Sequence, residues 1–432
     1  MTKIKKHWLA LAVGLTMAAL FLAPVAVVQA ETVITLWSHW ADHETKVNFV
    51  ETAAKNFEAK NPGVKVKITW YQKKALYSAL KVALSAGKAP DIFYTEVNQT
   101  EYIDNNFLLP LDDLLENWGN IEPWARESWT FNGKTYGFPL ETQTVELYYN
   151  KDLLNKLGLK LPADAQFDQA GFTDLVKKAS AEGITPLAQG VGDRPYPGHY
   201  MTYQTLLKKL GKEDYGKLLA GKLTYKDPRV METLTWIKEL IDAGLYPKSY
   251  ATVKLGESHR YFYLKPGAVM IAMGSWYSTR AFNPPEKGGQ PEDFPLGVMQ
   301  FPKPDGAACP NCKTAAVGGS YSVNAATKHP KLAAALLDEM ATVEMGSRWL
   351  TEVLVQGGVK GDPSKITGKY KPYFEELMAR NEGTEVFIGL PHQLAQGQCR
   401  DALIQVMNVA FPAGLISVED ATAQMDAACY KP

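Results

Sequence analysis

The sequence has no surplus of either charge: Lys+Arg and Asp+Glu are equal at 46 each in 432 residues. A nucleic-acid binder needs a basic excess to neutralise phosphates, and adhesion to anionic lipid needs clustered cations. Neither is expected, and a neutral or zwitterionic ligand is favoured over a polyanion. No GxSxG, HExxH or phosphate-binding loop occurs, so the hydrolase and nucleotide chemistries that depend on them lack their anchor. No cofactor is expected. Beyond residue 28 no apolar run is long enough to span a bilayer. Internal repeats and low-complexity segments are absent too.

Cysteine is scarce, with four in the whole chain. Cys309 and Cys312 form a CxxC in a Pro/Gly-rich loop; Cys399 and Cys429 lie near the C-terminus. A thioredoxin-like site would place the motif at a helix start after a strand, whereas PDGAACPNCKT reads as irregular loop. A zinc site needs two further ligands at sensible spacing, and none is near in sequence. Three disulfide pairings are possible. Cys309–Cys312 with Cys399–Cys429 is preferred, the second tying the C-terminal segment to the body.

The N-terminus reads as a processing segment. Lys3, Lys5 and Lys6 precede an uncharged apolar run over 8–28, and Val28-Gln29-Ala30 offers small residues where a signal peptidase cuts. Cleavage after Ala30 would release a soluble exported, periplasmic chain starting at Glu31. A retained membrane anchor is the competing reading, since the run almost reaches spanning length; Pro24 and the cleavage-like ending argue against it.

What is present is enough apolar residue for two cores, 46% of the chain, at a length that exceeds one ordinary domain. Over 31–94, apolar patterning alternates between strand and helix periods. Strands fall at 31–37, 64–70 and 91–94, with helices at 45–60 (Val47, Val50, Ala54, Phe57) and around Leu76, Leu80, Ala83 and Leu84. This β-α-β-α-β order implies a parallel sheet. Ligands bind at the carboxyl ends of such strands, which here lead into the loops SHWADHE and TEVNQ. Later residues are mostly helical, with helices at 172–182, 200–210, 230–243, 331–342, 373–380, 401–410 and 418–428. Residues 283–300 read as a connector back to the first lobe.

One stretch organises the rest, GKTYGFPLETQTVELYYNKDLL at 133–154. A hairpin turn at Asn132-Gly133 leads to an extended run that pauses on Glu141, Thr142, Gln143 and Thr144, then resumes at Val145. A strand broken by polar residues in mid-course is a candidate crossing between two lobes, with a polar side chain offered to the cleft.

Four segments in order, GKAPDIFY (87–94), the stretch just described, GAVMIAMGSW (267–276) and VGGSYSVNAATKHPKLAAALLDEM (317–340), resemble extracellular solute-binding proteins of ABC transporters. The sugar-binding group that includes maltose-binding protein is the nearest in pattern, over essentially the whole mature chain. The resemblance implies an α/β, two-lobed periplasmic-binding-protein fold with a ligand cleft and hinge crossings. It implies an N-terminal lobe from 31–142 plus 283–335 and a C-terminal lobe from 143–282 plus 336–432. Crossings would lie near 145–147, 276–282 and 331–344. It further implies a function: capturing a mono- or oligosaccharide as a monomer and handing it to permease subunits in the inner membrane, without catalysis.

Carried across by position, the family's contacts fall on His39, Trp40 and Asp42 after the first strand and on Glu96 and Asn98 after the third. Gln143 falls on the crossing strand, Arg194 and Tyr196 in a second-lobe loop, and Trp276 in GSW. Gly318, Gly319 and Tyr321 occupy a loop that approaches ligand closely. LPHQLAQGQCR departs from the maltose-binding pattern, with His392 or Gln393 where a stacking aromatic stands, so the solute need not be maltose. Hydroxyl-rich solutes require paired donors and acceptors and flat apolar partners, which these residue types supply. Trp40 and Trp276 are equally suited to a core, and Asp42 to a helix cap. A secreted glycosidase is the alternative. It needs two facing carboxylates, and Glu141 and Glu146 stand an odd step apart on a strand, on opposite faces. A polyol or another small polar solute is a further alternative, as is delivery to a chemoreceptor.

Overall fold

The computed structural model describes residues 31–97, 99–193, 196–264 and 267–431. The segment expected to be removed, 1–30, lies outside it, as do Asn98 and Arg194 and the side chain of Tyr196.

Two sheets divide the chain. The first uses β1 (Thr32–Ser38), β2 (Val64–Trp70) and β3 (Ile92–Thr95) in parallel, with α1 (Glu44–Lys60) and α2 (Lys73–Ser85) as crossovers. A hairpin of β4 (Thr130–Phe131) and β5 (Lys134–Thr135) follows, then β6 (Phe138–Pro139). Its turn residues Asn132 and Gly133 have φ of 50° and 76°, the left-handed pair that a two-residue hairpin requires. Then come β7 (Thr142–Asn150), β8 (Thr185–Leu187), β9 (Ala268–Gly274), β10 (Leu296–Met299), β11 (Cys312–Val317), β12 (Ser320–Val323) and β13 (Glu385–Ile388). The first sheet runs β2-β1-β3-β12-β6 and the second β13-β11-β7-β9-β8, with β10 also on β7.

Helical periodicity translates directly into burial. Leu76, Leu80, Ala83 and Leu84 all lie on the buried face of α2, and α1 buries Val50, Ala54 and Phe57 as its spacing predicts, with Lys46 in place of Val47. Three cores result among the described residues. One holds Ile34, Phe49, Ile92 and Leu336 under the first sheet, a second holds Leu147, Phe172, Ile237 and Ile271 around the second sheet, and a third holds Leu80, Leu84, Phe93 and Trp129.

The expected lobe boundaries differ from this arrangement. β10 and β11 hydrogen-bond to β7, so 283–317 stays with the second sheet and does not connect back at 283. The chain returns between β11 and β12, at Gly318 and Gly319. Residues Met345, Trp349, Val353, Val355 and Val359 pack in the first core, whereas Ile366 packs in the second, which puts the last transfer after 359. The three crossings are therefore 140–142, 317–320 and 359–366, not 145–147, 276–282 and 331–344. The reason is backbone pairing. Val145–Tyr149 is ladder strand against β9, and Pro330–Met340 is a helix packed on the first core. The Pro/Gly content of 283–300 marked turns, which do not reveal which sheet the flanking strands join.

Both expected disulfides are present, Cys309–Cys312 and Cys399–Cys429. Among the described residues no helix is long and apolar enough to cross a membrane.

Candidate functional site: the cleft at the crossings

The crossings lie side by side. Leu140 and Glu141 N–H groups both donate to Gly319 O (3.1 and 2.8 Å), and Gly318 N–H donates to Glu141 O at 2.8 Å. On the other side Thr142 N–H donates to Gln356 O and Gly358 N–H to Leu140 O. Residue 141 is thus bonded directly to the second connecting segment, and its strand neighbours to 356–358, just ahead of the third. The carboxyl ends of β1 and β3 point at this junction, because β12 starts beside Thr95 and Gly319 precedes it. The second sheet presents the start of β7 and the end of β9 there, paired as Val145 with Gly274.

On the first-lobe side an aromatic cluster gathers most of the expected residues. Tyr94 is its hub: His39 lies 4.0 Å away centroid to centroid, Trp40 5.8 Å and Tyr321 6.3 Å. A Cβ on Gly319 would sit 2.9 Å from the Trp40 ring and 3.1 Å from Tyr94, so glycine there is the space the two rings occupy. Trp40 is 1% exposed and Tyr321 fully buried, with the Tyr321 hydroxyl donating to Ser38 Oγ at 2.8 Å. These two build the wall; they do not form its surface. Glu96 accepts from Tyr94 (3.1 Å) and pairs with Lys73 at 2.5 Å. Asp42 stays exposed, 3.6 Å from His43, and the cap position of α1 belongs to His43.

On the second-lobe side Gln143 and Trp276 converge on Gly274. A Cβ there would lie 2.3 Å from Trp276 Nε1 and 2.7 Å from Gln143 Oε1. Trp276 is half-buried and packs against the first and second cores, and Arg280 stands 5.7 Å from its ring centre. The Gln143 Oε1 is buried with no hydrogen-bond partner among the described residues. His392 stands apart from these, its Nδ1 3.5 Å from His199 Nε2.

Cations dominate the electrostatics. Burial, assisted by Lys73 and Lys46, pushes His39 down to about 2. Burial, with Arg400 and Lys73, pushes His392 down to about 3. Lys73 sits on α2 of the first lobe and His392 in the second, so one charge bears on a histidine of each lobe. His43 is lowered by burial first and then by Lys46.

The sequence reading missed Lys46, which is buried on α1 and pairs with Glu141 under the Trp40 and Trp349 rings. A signal existed. Lys46 continues the apolar stripe of Val50, Ala53 and Phe57, where a lysine demands a buried partner. Two surface cavities, of about 380 Å³ beside Trp118 and about 160 Å³ beside Phe374, border the third connecting segment at Lys360 and at Pro363, Ser364 and Ile366, and neither is lined by His39, Gln143 or Trp276.

Residues 41–346 match the family described as bacterial extracellular solute-binding protein. The chain belongs to this family. This solute-binding protein is 24% identical over 375 residues to the arabinooligosaccharide-binding protein of Bacillus subtilis, covering 83% of the chain and 80% of the relative. It is 25% identical over 247 residues to an uncharacterized ABC transporter extracellular-binding protein of Pyrococcus horikoshii, and spans about half of that relative's length (54%, against 55% of its own). A solved structure described as a chitin oligosaccharide binding protein superposes with a TM-score of 0.75 at 21% identity, over 91% of this chain and 97% of that one. At that identity the likeness establishes the two-lobed fold.

Proposed function

We propose that this protein captures a sugar, as mono- or oligosaccharide, in the cleft at the crossings and delivers it to the permease of an ABC importer. The observation that carries the reading is the Gln143 amide oxygen, buried beside the Trp276 ring without a partner among the described residues. Buried polar atoms are normally paired, and a sugar hydroxyl with its adjacent C–H face answers both groups at once. Glu141 and Glu96 are each held by a lysine, which leaves the amide as the neutral recognition group and disfavours a cationic solute. Names of relatives that bind arabino- and chito-oligosaccharides add support for that solute class.

Closure follows from ligand contacts on both lobes, because only a differential affinity shifts the equilibrium. Glu141 and Glu146 face different lysines and form no carboxylate pair across a sugar, so binding without hydrolysis is the reading. Export with cleavage after Ala30, and action as a monomer, complete it. Calorimetry and Trp fluorescence against arabino-, chito- and malto-oligosaccharides, monosaccharides and polyols test it. Micromolar or tighter binding of a saccharide is expected, and silence across the panel would refute it.

A further inference from the structure

A chain of three polar side chains lies in the second lobe, outside the group that converges on Gly274. His199 is fully buried, and its Nδ1 stands 2.9 Å from Asn408 Oδ1. Its Nε2 stands 3.5 Å from Nδ1 of His392, which is half-buried. Asn408 is fully buried in the π-helical segment Leu403–Ala410. The Asn408 carbonyl accepts from the Tyr250 hydroxyl at 2.7 Å, and a Cβ on Gly198 would meet it at 2.2 Å, so the backbone that carries the amide is held from two sides.

Strand register brings His392 to the crossing end of the second sheet. β13 runs parallel to β11 with Ile388 level with Ala315, and Ala315 pairs in turn with Thr144 at the start of β7. Gly389 N–H donates to Ala315 O at 2.8 Å, and 390–392 then leave the sheet at the end where Val317 enters the second connecting segment. This is the carboxyl end of the parallel pair β11 and β13, the end at which open α/β sheets bind ligands. Lys73 of the first lobe bears on the His392 ring, so the ring lies within electrostatic reach of the opposite lobe.

The order of protons along the chain follows from Asn408. An amide oxygen can only accept, so His199 Nδ1–H donates to it and His199 Nε2 is bare. His392 Nδ1 faces that bare nitrogen and carries a proton to donate to it, which leaves His392 Nε2 as an acceptor. Burial holds both rings below their ordinary 6.5, His392 down to about 3 with Arg400 and Lys73 assisting, so the neutral forms this order requires are the ones present at neutral pH. We propose that His392 is a ligand-binding residue that accepts from a saccharide hydroxyl through Nε2, and that His199 and Asn408 are positioning residues that fix its tautomer. This rests on the sugar-binding reading above and deepens it. At this point the second lobe takes a hydroxyl as donor and disfavours a ligand group that can only accept.

The test is nitrogen NMR of the protein with 15N-labelled histidine, joined to calorimetry. The saccharide giving the strongest calorimetric signal in the panel serves as probe, and the His392 signals are identified by their loss in His392→Phe. Wild type should show a protonated Nδ1 and a bare Nε2 at His392, and the Nε2 signal should shift when the saccharide is added. His392→Phe should weaken binding about tenfold or more, with His392→Gln recovering part of the loss. Asn408→Leu removes the acceptor behind His199 and should move the His392 proton to Nε2. A protonated Nε2 in wild type, an Nε2 signal indifferent to the saccharide, or wild-type affinity in His392→Phe overturns the assignment and leaves the sugar reading standing. An Asn408→Leu protein that keeps the wild-type tautomer overturns the positioning role; if that variant does not fold, the wild-type spectrum and the His392 variants decide. A wild-type protein that binds no member of the panel overturns both readings.

Discussion

Glu141 and Glu146, five residues apart, are claimed by lysines of opposite lobes. Glu141 pairs with Lys46 on α1 of the first lobe. Glu146, fully buried, accepts from Lys313 on β11 of the second sheet at 2.9 Å. The odd step between them along an extended chain turns one carboxylate to each side. One carboxylate thus fastens the crossing to the first lobe, and the other fastens the strand that follows it within the second.

Glu146 and Lys313 are 0% and 2% exposed as side chains. Lys313→Met would strand a buried carboxylate, for a loss of about 3–5 kcal/mol. Adding Glu146→Leu should recover most of it. Urea unfolding of the single and double variants measures this, and a single variant as stable as wild type would disprove the pair's importance.

Gln143→Ala and Trp276→Ala should each weaken sugar binding by about 1–3 kcal/mol, with folding cooperativity retained. Titration by calorimetry reads the effect. Wild-type affinity in both variants would remove the junction from consideration as the binding site.

His39 and His392 have folded-state values well below their ordinary 6.5. Between about pH 6.5 and pH 3 the unfolded chain therefore binds protons that the folded chain refuses, and stability falls as pH falls through that window. Each histidine contributes up to about 1.4 kcal/mol per pH unit. In His39→Asn and His392→Asn the slope of unfolding free energy against pH should flatten below pH 6.5. An identical slope would show that these rings do not set the acid sensitivity.

The Cys399–Cys429 bridge spans a separation of 30 residues. Replacing both cysteines by serine should cost about 3–4 kcal/mol in chain-entropy terms, and the melting temperature should drop accordingly. Retention of wild-type stability would mean that the packing of the last helix suffices without the bridge.

Local periodicity made the elements legible: the helices of the first lobe and the Asn132-Gly133 hairpin read correctly from spacing, whereas the expected polar interruption at 141–144 is strand from Thr142 onward, paired with β11. Partner choice was not legible. Whether 296–299 pairs with β7 or returns to the first sheet depends on long-range backbone geometry that a four-residue apolar run does not encode. In the candidate site, side-chain type suggested Trp40 and Tyr321, yet burial assigns both to the cleft wall.

The hydrogen bonds around residue 141 have a mechanical consequence. With the first two connecting segments joined there and 356–358, just ahead of the third, bonded alongside, a rotation of one lobe against the other would have its axis close to the Glu141 backbone. Displacement grows with distance from an axis, so the Lys46–Glu141 pair would barely move while Lys73 on α2 and His392 in the second lobe change their separation. Spin labels at 73 and 392 would report opening, and a pair reporting 46 to 141 would stay still.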